Sequence, residues 1–193
     1  MSSLLFMPHK ANRPPIIPSV AKQSIKGIVT LYGPPNSGKT AALQYLYTLL
    51  SGLNPPLRTN GKASKDFRAA FVYKGAVILL STVGDSTKDV SDNWNWFLSL
   101  GKRSLNLKGN SRCRPCVCLG EETIPSKIIL ISPTRLGGPT YKEQERYIQA
   151  LKPTVSTINF IHKEVAPNLF SGLLSQMNSQ AAQFIKTIID SII

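Results

Sequence analysis

Residues 33 to 40 read Gly-Pro-Pro-Asn-Ser-Gly-Lys-Thr, between the apolar run Ile-Val-Thr-Leu-Tyr and the stretch Ala-Ala-Leu-Gln-Tyr-Leu. Two glycines five positions apart let the backbone take conformations closed to other residues and bring its N–H groups onto an anion. The start of a following helix adds a favourable partial charge. Lys39 has the length and charge to reach terminal phosphate oxygens, and the Thr40 hydroxyl suits a hard divalent cation such as Mg²⁺. The expected binding residues are therefore Gly33, Pro34, Pro35, Asn36, Ser37, Gly38, Lys39, Thr40 and Ala41.

The pattern is a full match to G-x-x-x-x-G-K-[ST], in the context that gives it meaning, a strand before and a helix after. On these residues the chain resembles the P-loop NTPase superfamily from about residue 25 onward. The resemblance implies a three-layer sandwich, with Mg²⁺ and a nucleoside triphosphate bound at the loop. No narrower family is identified.

A second component is expected at the tip of another strand, an acid that holds Mg²⁺ or its waters. The run Ala-Val-Ile-Leu-Leu ends in Ser81-Thr82-Val83-Gly84-Asp85, so the place of a Walker B acid, or of the Asp in the D-x-x-G of GTPases, is held by Ser81. Ser81 is assigned to a metal-bound water, Gly84 to an N–H near the γ-phosphate, and Asp85 to the metal's outer shell or the nucleophile. Asp66, Asp89 and Asp92 are the reserve carboxylates, although aspartates at helix starts usually cap. After Ile-Ile-Leu-Ile-Ser comes Pro-Thr-Arg-Leu-Gly-Gly-Pro, without the N-K-x-D of GTPases, which favours ATP. Arg135 in that loop is placed to reach phosphate or stack on a base, against a plain solvent-facing arginine.

Charge supplies the remaining candidates. The chain of 193 residues carries a net charge of +13. The excess comes from residues 1 to 65, with eight Lys/Arg and no acid, and from Lys102, Arg103, Lys108, Arg112 and Arg114. Such clusters fit nucleic acid or another polyanion, or else a solubilising surface. The basic segment 101–125 has the character of a lid that brings Arg103, Arg112 or Arg114 to a transferring phosphoryl group. It also holds Cys113, Cys116 and Cys118. Three thiolates fall short of a structural zinc site, and an odd number in one short stretch suits a reducing, cytoplasmic setting.

These residues need a scaffold, and the hydrophobic pattern describes one. Residues 1–24 hold four prolines and read as a flexible basic arm. From residue 25 to 193 β-branched runs alternate with helical periodicity: a strand at 25–33, a helix to about 53, and strands within 67–83 joined at Lys74-Gly75. A helix at 89–100, a strand at 126–132, a helix at 139–151, a strand at 154–161 and a helix from about 167 to 192 follow. This implies a largely parallel sheet flanked by helices, in one α/β domain. No apolar stretch is long enough to span a bilayer, and the first ten residues do not read as a secretory signal. Trp94, Trp96 and Phe97 at helical spacing read as core more readily than as a base-stacking platform.

Three functions fit this sequence: an NTPase that hydrolyses ATP, a small kinase that passes the γ-phosphoryl to a metabolite or nucleoside, and a nucleotide-binding module without turnover.

Overall fold

The computed structural model describes residues 25–61, 66–102, 127–151, 157–162 and 171–193. Strand β1 (Ile25–Gly33) is buried along nearly its whole length, as expected of a strand covered on both faces. It feeds helix α1 (Lys39–Leu53), whose buried Ala42, Leu43, Leu46 and Leu50 recur at helical spacing. Pro55 lies just beyond, and the N–H of Asn54 closes the helix on the Leu50 carbonyl.

A short strand the hydrophobic pattern did not show, β2 (Arg58–Gly61), pairs antiparallel with β3 (Phe67–Tyr73). With four residues, Arg-Thr-Asn-Gly, it carries no apolar alternation to find. β3 turns back into β4 (Ala76–Ser81) through Lys74 and Gly75, at φ 48° and 78°. Two successive positive φ angles give the tight hairpin turn that matches strand twist.

Helix α2 (Thr87–Lys102), strand β5 (Ile128–Arg135), helix α3 (Gly138–Leu151), strand β6 (Thr157–His162) and helix α4 (Ser171–Ile192) complete the described elements. Helix α2 begins two residues before the expected Asp89 because Ser86 and Asp89 cap it reciprocally. The Asp89 carboxylate accepts from the Ser86 N–H at 3.0 Å, and the Asp89 N–H donates to the Ser86 hydroxyl at 3.1 Å.

The strands form one six-stranded sheet in the order β2-β3-β4-β5-β1-β6. The class is α/β, but the expected largely parallel sheet is a mixed one. β4–β5, β5–β1 and β1–β6 pair parallel, while the β2–β3 and β3–β4 pairs are antiparallel. The reason is local: the two-residue turn at Lys74-Gly75 permits only an antiparallel return.

Side chains alternate between two cores. Val29, Leu31, Ile78, Leu80, Ile129 and Ile131 meet α1 and α4, and Ile28, Val77, Leu79, Ile128 and Leu130 meet α2 and α3. Trp94 and Phe97 belong to the second core, at 0% and 3% exposure, which places them inside rather than on a stacking surface. Among the described residues no helix is long and apolar enough to cross a membrane.

The hairpin tip is tied to α4 through Asp190, which accepts from Lys74 Nζ at 2.8 Å, Tyr73 Oη at 2.9 Å and Lys186 Nζ at 2.9 Å. The Lys74 hydrogen bond first, then those from Lys186 and Tyr73, hold this carboxyl well below the usual range. A depressed folded value means the contribution is present above the ordinary value of 3.8 and is lost as pH falls below it. Asp190→Asn is expected to lower the thermal midpoint near neutrality by about 2–4 °C, the effect of roughly 1 kcal/mol at this size. The gap from the parent should narrow between about pH 4 and pH 2 in a melting series. A gap constant over that range would show that the Asp190 charge contributes nothing.

Candidate functional site

Helix α1 leaves β1 on one face of the sheet, and α3 leaves the adjacent β5 on the other. Neighbouring strands whose helices diverge open a crevice at their carboxyl ends, the usual ligand position in open α/β sheets. The 33–40 loop lies there. Its backbone takes left-handed corners at Asn36 and Gly38, φ 59° and 81°, and the first helical bond runs from the Ala42 N–H to the Gly38 carbonyl at 2.9 Å. No side chain caps the helix at Gly38. The N–H groups of Lys39, Thr40 and Ala41 have no intrahelical acceptor by geometry, so the helix start is a donor surface with partial positive charge.

Lys39 is 6% exposed. Its ammonium donates to the Gly33 carbonyl at 3.0 Å and the Pro34 carbonyl at 2.8 Å, with Ser37 Oγ at 3.4 Å. The lysine is thus folded back across the loop it follows. Burial pushes it below the usual lysine range; the Asp85 charge offsets part of this, and the Arg135 charge adds to it. All three charged groups therefore share one electrostatic neighbourhood.

β4 is not the neighbour of β1, because β5 lies between them. The tip of β4 stands two strand spacings away, roughly 9–10 Å. Helix α1 crosses part of that distance, since the Thr40 hydroxyl lies beside the Thr82 carbonyl just past β4, and Asp85, four residues after Ser81, sits on a turn that reaches back over the tip of β5. Gly84 shows how tightly that turn packs: a Cβ there would lie 2.2 Å from the Pro133 carbonyl oxygen. Asp85 Oδ1 meets Arg135 Nε at 3.5 Å, with side chains 69% and 45% exposed. Such an exposed pair contributes little to stability and exchanges readily for another anion.

Arg135 is the register partner of Gly33, and the next residue, Leu136, donates its N–H to the Gly33 carbonyl at 3.2 Å. That carbonyl therefore receives both Lys39 and the β5–α3 turn. The Thr40 hydroxyl, half-buried, is 3.4 Å from the Thr82 carbonyl.

Ser81 is fully buried, and its hydroxyl is engaged in the β4–α2 turn. It donates to Asn93 Oδ1 at 2.8 Å and accepts from the Val83 N–H at 3.2 Å. Asn93 completes the ring with a 2.6 Å bond to the Val83 carbonyl and accepts from Arg68 Nε at 2.7 Å. Asn93 and Arg68 were not singled out in the sequence. The signal was present for Asn93, a polar residue inside the aromatic stripe of α2.

Of the reserve carboxylates, Asp66 lies near Asp85 and Asp89: burial first, and then those two charges, push its carboxyl up. Asp89 is committed to the cap of α2, and Asp92 is paired with Lys88 at 2.5 Å on an exposed face. A cleft of about 330 Å³ opens between the starts of α2 and α3, lined by Thr87, Gly138, Pro139, Lys142, Glu143 and Arg146. None of these belongs to the 33–40 loop. Residues 101 and 102 of the expected lid are the last of α2; Arg103, Arg112, Arg114 and the three cysteines lie outside the described residues, as does the basic arm.

Among the described residues no group of three or more His, Cys, Asp or Glu side chains could hold a metal by itself. Mg²⁺ needs less: one or two protein oxygens, with phosphates and waters completing the shell. The Thr40 hydroxyl at the helix start is one such oxygen, and Asp85, on the turn over the tip of β5, is the carboxylate whose charge acts on Lys39.

No protein-family model, curated protein or solved structure matches this chain.

Proposed function

We propose that the protein binds a magnesium nucleoside triphosphate at the 33–40 loop, ATP in preference to GTP, and hydrolyses it on a P-loop-like arrangement of sheet and helices. The observation that carries this reading is Lys39, held by the Gly33 and Pro34 carbonyls over a loop whose helix start has no side-chain cap. A buried ammonium beside unpaired N–H groups is a cradle for phosphate.

In this reading Lys39 and the N–H groups of the helix start bind the β- and γ-phosphates, and Thr40 holds the magnesium ion. When bound, the ion neutralises charge on the phosphates. Arg135 leaves Asp85 for the terminal phosphate, and the freed carboxylate orients a water. The water oxygen bonds to the γ-phosphorus as the bond to the bridging oxygen breaks, giving nucleoside diphosphate and inorganic phosphate, the water protons passing to phosphate and solvent.

A nucleotide-binding module without turnover is the second reading. It is favoured by Ser81, a serine closed into a ring with Asn93 where an acid would be expected.

The test is a product assay with Mg²⁺ and ATP or GTP, resolving free phosphate from phosphoryl transfer into a pool of nucleosides and metabolites, with Lys39→Ala as control. Lys39-dependent phosphate release supports hydrolysis, transfer to one acceptor identifies a kinase, and tight binding without either supports the module. If hydrolysis is seen, Asp85→Asn is expected to spare binding and lower the turnover rate at least about tenfold. An unchanged rate would remove Asp85 from the mechanism.

A further inference from the structure

Helix α4 buries one stripe, Asn178, Ala182, Ile185 and Ile189, at the four-three-four spacing of a single helical face. Three members are apolar and pack with Leu31, Ala42, Leu43 and Leu46. The fourth is a carboxamide, only 8% exposed, at the end of the stripe that meets the 33–40 loop. A Cβ on Gly38 would stand 2.6 Å from Asn178 Oδ1, 3.2 Å from its Nδ2 and 3.3 Å from its Cγ. The amide therefore lies directly against the Gly38 backbone, at the left-handed corner, φ 81°, from which α1 begins. One turn away, the Tyr45 hydroxyl of α1 hydrogen-bonds Ser175 Oγ of α4, so the two helices are in register at this end.

An apolar residue would continue the stripe as well, so hydrophobic packing alone does not account for the Asn178 carboxamide, which has polar contacts to satisfy. Its position does. Gly38 must hold a conformation that aims the following N–H groups into the crevice, and the group against it must not repel phosphate.

We propose that Asn178 is a positioning residue of the phosphate site. It braces the Gly38 corner from behind and keeps the edge of the cradle polar but uncharged. This rests on reading the 33–40 loop as a nucleotide site.

Two substitutions in the full chain test it, with ATP, ADP and AMP titrated in the presence of Mg²⁺. Asn178→Asp preserves shape and adds a negative charge beside the cradle. Weakening of at least about tenfold for ATP, less for ADP and least for AMP, is expected from like-charge repulsion at short range. Asn178→Leu completes the apolar stripe. It should weaken ATP about tenfold more than it weakens AMP while the unliganded protein stays folded at the assay temperature, a phosphate-dependent loss that a merely structural residue would not show. If Asn178→Asp fails to fold, Asn178→Leu decides. Parental ATP affinity in both folded variants, alongside lost binding in Lys39→Ala, would overturn the role of Asn178 and leave the site standing. No nucleotide binding by the parent protein would overturn the site and this role together.

Discussion

Lys39→Ala is expected to weaken binding of a magnesium nucleoside triphosphate by at least about 100-fold and to abolish turnover. The estimate comes from its contacts. A charge-assisted hydrogen bond contributes about 1.5–3 kcal/mol, and an ammonium held by two carbonyls and, at 3.4 Å, by the Ser37 hydroxyl of its own loop has that longest contact to exchange for phosphate. Losing one or two such bonds gives a factor of about 10² to 10³. Loop geometry should suffer less, since the corners at Asn36 and Gly38 and the Leu136 bond to the Gly33 carbonyl do not need the lysine. Isothermal titration of the variant, with its unliganded melting temperature as the control for folding, separates the two effects. Binding within threefold of the parent would remove Lys39 from the site and, with it, the proposed function.

Trp94→Ala is expected to cost about 3–5 kcal/mol of stability, the usual range for deleting a large buried aromatic side chain. Trp94 is stacked on Tyr147 with ring centroids 5.1 Å apart and planes 6° from parallel, and it meets Phe97 edge-on at 5.8 Å. Its Nε1–H donates to Gln144 Oε1 at 3.0 Å, and Gln144 in turn donates to Thr30 Oγ1 and Ser132 Oγ. The indole thus links α2 and α3 to β1 and β5, the two strands whose tips hold the crevice. Trp94→Phe keeps much of the volume but strands the Gln144 oxygen, at about 1–3 kcal/mol. Urea unfolding of the two variants should therefore rank alanine well below phenylalanine and phenylalanine below the parent. Unchanged stability in Trp94→Ala, coupled with loss of binding to single-stranded nucleic acid, would instead make the tryptophan a stacking platform.

Neither prediction follows from the same kind of information. The loop around Lys39 is legible because its chemistry is local: glycines, lysine and threonine act over eight consecutive residues, and the strand and helix beside them have strong periodicities of 2 and 3.6. The buried runs of β1, β4 and β5 were legible for the same reason, since a strand covered on both faces must be apolar throughout. The β3–β4 hairpin followed from Lys74-Gly75, where two positive φ angles are required.

What the sequence determined by itself, then, was the class of elements and one glycine-lysine-threonine loop set between a strand and a helix, because short-range sterics and side-chain periodicity are properties of neighbouring residues. Strand order was decided only in three dimensions. The insertion of β5 between β1 and β4 depends on pairings between distant parts of the chain, Ile25 and Val77 both meeting Ile128, and it is what puts Arg135 beside Gly33 and leaves Ser81 two strands from β1. The partners of the polar groups came the same way: Ser81 with Asn93, Trp94 with Gln144, Asn178 with Gly38. A hydrogen bond or close contact between residues 10 to 140 positions apart leaves no spacing rule in the chain, because it is set by how helices from separate parts of the sequence are laid across one sheet.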